Sequence, residues 1–201
     1  MFASLLFRDA TPALRGEGIL LRPPRPADFA SWHRIRLESR EFLRPFEPRW
    51  SEADVTERAF LTRLRRGQRE STLGTDYNFF IFSTAEGAER LVGGLTLSNI
   101  HRRAAQCVTL GYWMGVNDAG KGIMSRAVAV VLPFAFDTLG LHRVQAACLP
   151  DNEPSRRVLV KNGFKEEGHA ESYLQIDGAW RDHALFGLTR ERYDRLRNPG
   201  P

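Results

Sequence analysis

The spacing of apolar residues changes period along the chain, and each change marks a predicted element. Ile19 to Leu21 form a short apolar strand, and a Pro-rich link then leads into a helix presenting Phe29, Trp32 and Ile35, with Asp28 at its positive end. Pro45 and Pro48 in "FLRPFEPRW" remove helical donors and end that stretch. Ser51 and Asp54 stand at capping-box spacing, although the box prefers Glu or Gln second, and open a second predicted helix bearing Val55, Ala59 and Leu64. Segments 77–84, 89–100 and 106–114 are rich in β-branched and aromatic residues and are separated by short polar or glycine-containing turns, the pattern of an antiparallel meander. "GIMSRAVAVVLPFAFDTLG" predicts a buried helix kinked at Pro133 and ended by Gly140. A strand over 142–149, a helix from Pro154 to Asn162 closed by Gly163, and a hairpin turned at Asp177-Gly178 complete the series.

This order gives an α+β fold. A central strand, a glycine loop, a helix and a parallel strand make one right-handed crossover inside a mostly antiparallel sheet. At 201 residues the chain is expected to be a single domain, 1–201, with residues 1–15 and 192–201 as flexible ends. A content of 42% hydrophobic and 26% charged residues excludes a disordered or fibrous chain. The apolar patch near the start has no basic residue before it and is cut by Arg8 and Asp9, a poor signal peptide. The longest apolar run, Ala127 to Phe136, falls far short of the roughly 18–20 residues of a membrane span, so a cytoplasmic protein without membrane contact is expected. Cys107 and Cys148 sit in strand-like apolar stretches without CxxC spacing and read as reduced core residues.

Charge narrows the partners. The net charge of +5 is largely arginine, with Arg58, Arg63, Arg65, Arg66 and Arg69 in one segment and Arg190, Arg192, Arg195 and Arg197 in the tail. Such clusters suit an acidic cofactor, ribosomal RNA or a nucleic-acid-rich assembly; a solvated basic helix is the plain alternative.

"GVNDAGKG" (115–122) carries the chemistry of the middle of the chain. It begins like a Walker A loop, but Gly122 stands where that motif needs the Ser or Thr that ligates Mg²⁺. Asp151 is the only plausible Walker B residue, and its neighbours Asn152, Pro154 and Ser155 suggest another use. A strand-to-helix turn with Gly120 and Gly122 still offers backbone donors and a helix dipole to an anion. The reading is therefore a pyrophosphate used as a handle, with no metal, and a nucleotide hydrolase is the remote alternative.

"LGYWMGVNDAGKGIMSRAV", "DNEPSRRVLVKNGF" and "YLQIDGAWRDH", with "ILLRPPRPAD" and "FLRPFEP", resemble the GNAT family of acetyl-CoA-dependent N-acetyltransferases over nearly the whole chain, and within it the RimJ-like ribosomal-protein-alanine branch. The resemblance implies a mixed, mostly antiparallel sheet with splayed central parallel strands flanked by helices. It implies that amides of Gly120, Lys121, Gly122, Ile123, Met124 and Ser125 cradle the CoA pyrophosphate, and that Trp113, Met114 and Gly115 pair with pantetheine. The family's loop register falls on Ala119, Gly122 and Met124. Ala119 lacks the usual polar side chain, for which Lys121 is the expected substitute as a point charge, and Met124 replaces a small residue. By the same resemblance Asn152 hydrogen-bonds the cofactor arm and Ser155 meets the departing thiolate. Leu159 stands where many members have tyrosine, leaving Ser155 as the expected lone hydroxyl.

An N-terminal amine, with pKa about 8 against about 10.4 for lysine, needs only a weak base to become a nucleophile near neutral pH. Glu47 is the expected base, with Glu171 and Tyr173 as rivals, and Asn99 and Tyr173 are expected to line the acceptor groove. The leading expectation is transfer of acetyl to the N-terminal alanine of a ribosomal protein by direct attack in a ternary complex, by a monomer or homodimer. The alternatives are the same chemistry on a small amine such as an aminoglycoside, polyamine or amino-acid derivative, or a ribosome- or RNA-binding assembly factor.

Overall fold

A computed structural model describes residues 11–85 and 87–198. Eight strands form one sheet in the order β1-β2-β3-β4-β5-β6-β8-β7. They are β1 (Leu14–Gly16), β2 (Ile19–Arg22), β3 (Tyr77–Ser83), β4 (Arg90–His101), β5 (Cys107–Met114), β6 (Arg143–Cys148), β7 (Lys165–Ile176) and β8 (Ala179–Thr189). Every pairing among them is antiparallel except β5 with β6. Six helices complete the order: α1 (Phe29–Glu38), α2 (Arg40–Leu43), α3 (Glu57–Leu73), α4 (Ile123–Pro133), α5 (Glu153–Lys161) and α6 (Arg190–Arg197).

Both faces of the central sheet are covered, and the period-2 alternation of the strands divides the core in two. Ile19, Leu21, Phe79 and Ile81 face α4, where Ala127, Val128 and Val131 are fully buried. Leu20, Phe80 and Phe82 point the other way, against Trp32 and Ile35 of α1 and Phe60 of α3. This double cover explains why "YNFFIF" reads as a continuous apolar run.

Several expectations need correction. Leu14 and Arg15, expected in a flexible end, pair with Leu21 and Leu20 in a hairpin, and residues 192–197 lie in helix α6. Of those ends, residues 1–10 and 199–201 lie outside the described residues. The Ser51/Asp54 box is present, with the Ser51 amide 2.8 Å from Asp54 Oδ2, but it opens a 3₁₀ turn over Glu52–Val55. Helix α3 starts only after Thr56, whose extended backbone breaks the turn and whose Oγ1 accepts from the Ala59 amide at 3.3 Å. After Pro133 the chain widens: Leu139 donates to the Phe134 carbonyl at 2.9 Å, a five-residue step that α-helix geometry does not make.

The two arginine clusters part company. In the tail, Arg190 and Arg197 each reach Asp137 at 2.9 Å, Arg192 donates to the Gly163 carbonyl at 2.6 Å, and Tyr193 stacks on Phe136. Those contacts fasten α6 to the widened turn after α4 and to the turn that follows α5. In α3, Arg63 and Arg66 pair with Asp54 and Glu70, whereas Arg58, Arg65 and Arg69 are exposed and form no ion pair among the described residues.

Candidate active site

The parallel pair makes the site. β5 and β6 pair only at Cys107/Arg143, Val108/Val144 and Thr109/Gln145. Beyond Thr109, residues Leu110 to Met114 keep their bonds to β4, while β6 continues with β8. The two strands therefore diverge and leave one edge of β5 with backbone groups that have no strand partner, and such groups require another hydrogen-bonding partner.

At the end of β5 the chain makes a 3₁₀ turn over Val116–Asp118 and enters α4 through Gly120 (φ 76°) and Gly122 (φ 73°). Both glycines adopt the left-handed conformation, which any residue with a Cβ adopts at a cost. The first intrahelical bond runs from the Arg126 amide to the Gly122 carbonyl at 3.2 Å, so the amides of Ile123, Met124 and Ser125 precede the helical ladder. With those of Gly120, Lys121 and Gly122 they form a continuous run of donors that meets no acceptor among the described residues. The loop is pinned from beneath by Asp118, which is 5% exposed and accepts both Arg90 guanidinium nitrogens at 2.7 and 2.9 Å. The Arg90 hydrogen bonds, ahead of that from Lys121, hold the Asp118 carboxyl below the usual carboxylate range.

Lys121, expected to replace the missing polar side chain at Ala119, has its Nζ 3.2 Å from Asp118. It serves the loop's own support. Arg126, which the sequence reading did not single out, also stands at this loop: its guanidinium lies 3.6 Å from where a Gly122 Cβ would stand, and it forms no ion pair among the described residues. Its position four residues past the N-cap was the available signal.

Across the divergence stands the first turn of α5. Asn152 caps it, its Oδ1 accepting the Ser155 amide at 3.1 Å, while its Nδ2 keeps both donor hydrogens for a ligand. Ser155 Oγ lies 2.7 Å from the hydroxyl of Tyr112 on β5. Ser155 is thus not the lone hydroxyl expected; Leu159 does occupy the next turn, fully buried. Strand alternation was the signal for Tyr112, since it shares the face of Val108 and Leu110 and so turns toward α4 and α5. Burial pushes the Tyr112 phenol well above its ordinary range, against the opposing effect of the Ser155 hydrogen bond. The Cys148 thiol, also near Ser155, is pushed up by burial and stays a protonated core group.

Trp113, one residue on, points to the opposite face. Its backbone belongs to the open edge of β5, while its indole lies over Gly94, where an added Cβ would stand 2.5 Å from Nε1. The indole walls a cavity of about 380 Å³ between α1, α3 and the sheet, shared with Trp32, Arg36, Glu47, Trp50 and Arg63. The Arg36 guanidinium lies 5.2 Å from the Trp50 ring and 5.1 Å from that of Trp113. Glu47 accepts both from Arg36 Nη2 and from Trp50 Nε1 at 2.5 Å, each on Oε1, leaving Oε2 without a partner among the described residues. The segment carrying Glu47 is irregular and is held by the β7–β8 turn: Asp177 donates its amide to the Glu47 carbonyl at 3.0 Å and binds Arg44 and Arg49 through its carboxylate.

Three candidates fall outside this cavity. Asn99 sits exposed in a bulge of β4 with φ 55°, its amide 3.2 Å from Asp76 Oδ1, at the end of the sheet where β5 and β6 are still paired. Tyr173 packs edge-on against His183, and the exposed Glu171 lies beside it in a bulge of β7. None of the three is among the cavity-lining residues. Among the described residues no group of three His, Cys, Asp or Glu side chains could hold a metal ion, and no helix is long and apolar enough to cross a membrane.

The site fits a phosphorylated donor with an extended arm: six successive amides for the anion and an open strand edge for an amide-bearing chain. Residues 19–165 match the acetyltransferase (GNAT) domain family. The chain is 34% identical to the [Ribosomal protein uS5]-alanine N-acetyltransferase of Escherichia coli over 76% of this chain and 77% of that one. It is also 34% identical to the probable N-acetyltransferase YjcK of Bacillus subtilis, over 87% and 96%. The structure of Mycobacterium smegmatis RimJ in complex with CoA-disulfide superimposes with a TM-score of 0.82 at 35% identity, covering 94% of this chain and 93% of that one. The divergent strand pair, the amide cradle and these matches agree: the chain belongs to the GNAT family of acetyl-CoA-dependent N-acetyltransferases.

Proposed function

We propose that the protein acetylates the N-terminal alanine amine of a ribosomal protein in the cytoplasm, by direct attack within a ternary complex. The observation that carries this reading is the cavity behind Trp113, which holds one carboxylate oxygen, Glu47 Oε2, free to receive an amine. The RimJ-like relatives support an alanine-initiated ribosomal acceptor.

The residues divide the work. The amides from Gly120 to Ser125 and the Arg126 guanidinium hold the donor's pyrophosphate, and the open edge of β5 from Leu110 to Met114 holds its arm. When bound, acetyl-CoA supplies an acetyl group activated as a thioester. Glu47 Oε2 orients the acceptor amine and takes its proton, a light task for an α-amine already partly neutral near pH 7. A backbone amide at the divergent end of β5 polarises the acetyl oxygen, and Ser155 meets the charge that develops on sulfur.

A polycationic small amine fits less well. The cavity's carboxylates Glu47, Asp54 and Glu70 are each matched by Arg36, Arg63 and Arg66, so its lining carries no acidic excess. The deciding experiment is thiol release from acetyl-CoA with short peptides beginning in Ala, Ser or Met beside aminoglycosides and spermidine. Turnover confined to Ala-initiated peptides is expected. Turnover with small amines alone would replace this reading.

A further inference from the structure

We propose that Tyr112 is a positioning residue for acetyl transfer: its phenol donates to Ser155 Oγ and thereby aims Ser155's own O–H into the opening between β5 and β6. This rests on the acetyl-transfer reading and on Ser155 as the group that meets the sulfur.

A serine hydroxyl carries one proton on a freely turning bond, and it is useful to a developing anion only if that proton faces the anion. Two contacts narrow its freedom here, with the protonated Cys148 thiol as the competing partner in the wall. The Asn152 cap fixes the first turn of α5 and with it the position of the Ser155 Cβ. The Tyr112 hydroxyl then occupies an acceptor lone pair of Oγ at 2.7 Å, so the serine proton must turn elsewhere. The direction of donation follows from acidity, because a phenol is a far better donor than an alkyl alcohol. The other acceptor near the phenol, the Ser155 carbonyl, is at 3.4 Å, long for an O–H bond. Burial holds the phenol above its ordinary range, so it keeps its proton at any working pH.

The chemistry balances without proton loss from Tyr112. The acceptor nitrogen bonds to the acetyl carbon, the carbon–sulfur bond breaks with its electron pair going to sulfur, and the nitrogen's proton passes to Glu47 and then to solvent. Ser155 stabilises the sulfur charge by donation, and Tyr112 keeps that donor aimed. Placing the second hydroxyl on β5 also explains how the site works with Leu159 on the next turn of α5.

The test is a double-mutant cycle with two readouts. Tyr112→Phe removes one oxygen and leaves the ring in place. It is expected to lower kcat about ten- to hundredfold with KM for acetyl-CoA within about twofold, and adding it to Ser155→Ala is expected to cost nothing more. The second readout needs no turnover: calorimetric affinity for CoA against desulfo-CoA, measured near pH 9 where thiolate is populated. The wild-type preference for the sulfur-bearing ligand is expected to fall in Tyr112→Phe to the level of Ser155→Ala. Independent, multiplicative losses in the cycle would overturn the proposal. So would an unchanged CoA/desulfo-CoA ratio, or a Tyr112→Phe chain that no longer folds, since each assigns Tyr112 to structure alone. If the wild type releases thiol with no amine, the acetyl-transfer reading fails, while the ligand ratio still reports on Tyr112.

Discussion

Tyr112 and Trp113 are neighbours on one strand and serve opposite sides of it. The Tyr112 side, proposed to take the donor, is built from backbone: a stretch of free strand edge, two left-handed glycines and the first amides of a helix, all within residues 110–125. The Trp113 side, proposed to take the acceptor, is built from side chains drawn from α1, the 44–50 segment, α3 and β5. The difference teaches why the donor is easier to name than the acceptor. Backbone donors in a fixed loop recognise any pyrophosphate, whereas a cavity of tryptophans and arginines changes its preference with each side chain.

If the two sides are separate devices, a change on one should leave the other intact. The severest test is Gly122→Val, which forces a β-branched side chain into φ 73° at the centre of the amide cradle. CoA affinity by calorimetry is expected to drop on the order of a hundredfold.

Next comes the support beneath the loop. Asp118→Asn is expected to lose about 1–3 kcal/mol of stability at neutral pH in denaturant titrations, with weaker CoA binding. The Asp118 pKa is lowered in the folded state, chiefly by Arg90, so the unfolded chain takes up that proton more readily. Its contribution is complete above the ordinary carboxylate range near pH 4 and is lost as pH falls through the lower folded value. Wild type and variant should therefore converge in acid; a constant gap would mean that the charge is irrelevant.

On the other face, Glu47→Gln is expected to lower kcat/KM for an Ala-initiated peptide roughly ten- to hundredfold while CoA affinity is retained. A matching loss of CoA affinity would show that the two sides are one site. The smallest effect is Arg126→Ala, about two- to fivefold in CoA affinity and fading with added salt, as suits an exposed cation over a helix N-terminus. A salt-independent loss would point to packing.

The same division governs what could be read from the chain. The turn at "GVNDAGKG" was legible because the information is local: glycines, a strand before, a helix after. The capping box at Ser51 was legible for the same reason, yet Thr56 won the start of α3, since a cap signal says where a helix can begin and not where the backbone lets it continue. The contact of Lys121 with Asp118, three residues before it, was not legible because it depends on Asp118 being buried beneath the turn. Tyr112 was hidden by the distance in sequence to Ser155, and the bulge that sets Asn99 apart from the cavity was not legible in the β4 pattern.

The alternation of the strands, the crossover between β5 and β6 and the glycine turn before α4 are written locally in the chain, because each depends on side-chain period or on glycine at a turn. Only the tertiary structure decided that β5 and β6 part after Thr109 and Gln145, that Tyr112 meets Ser155 across the gap, and that Asp177 in a distant hairpin holds Glu47 against Trp50 and Arg36. These contacts join residues far apart in the chain. Their geometry follows from packing both faces of a twisted sheet at once, and no local propensity encodes that.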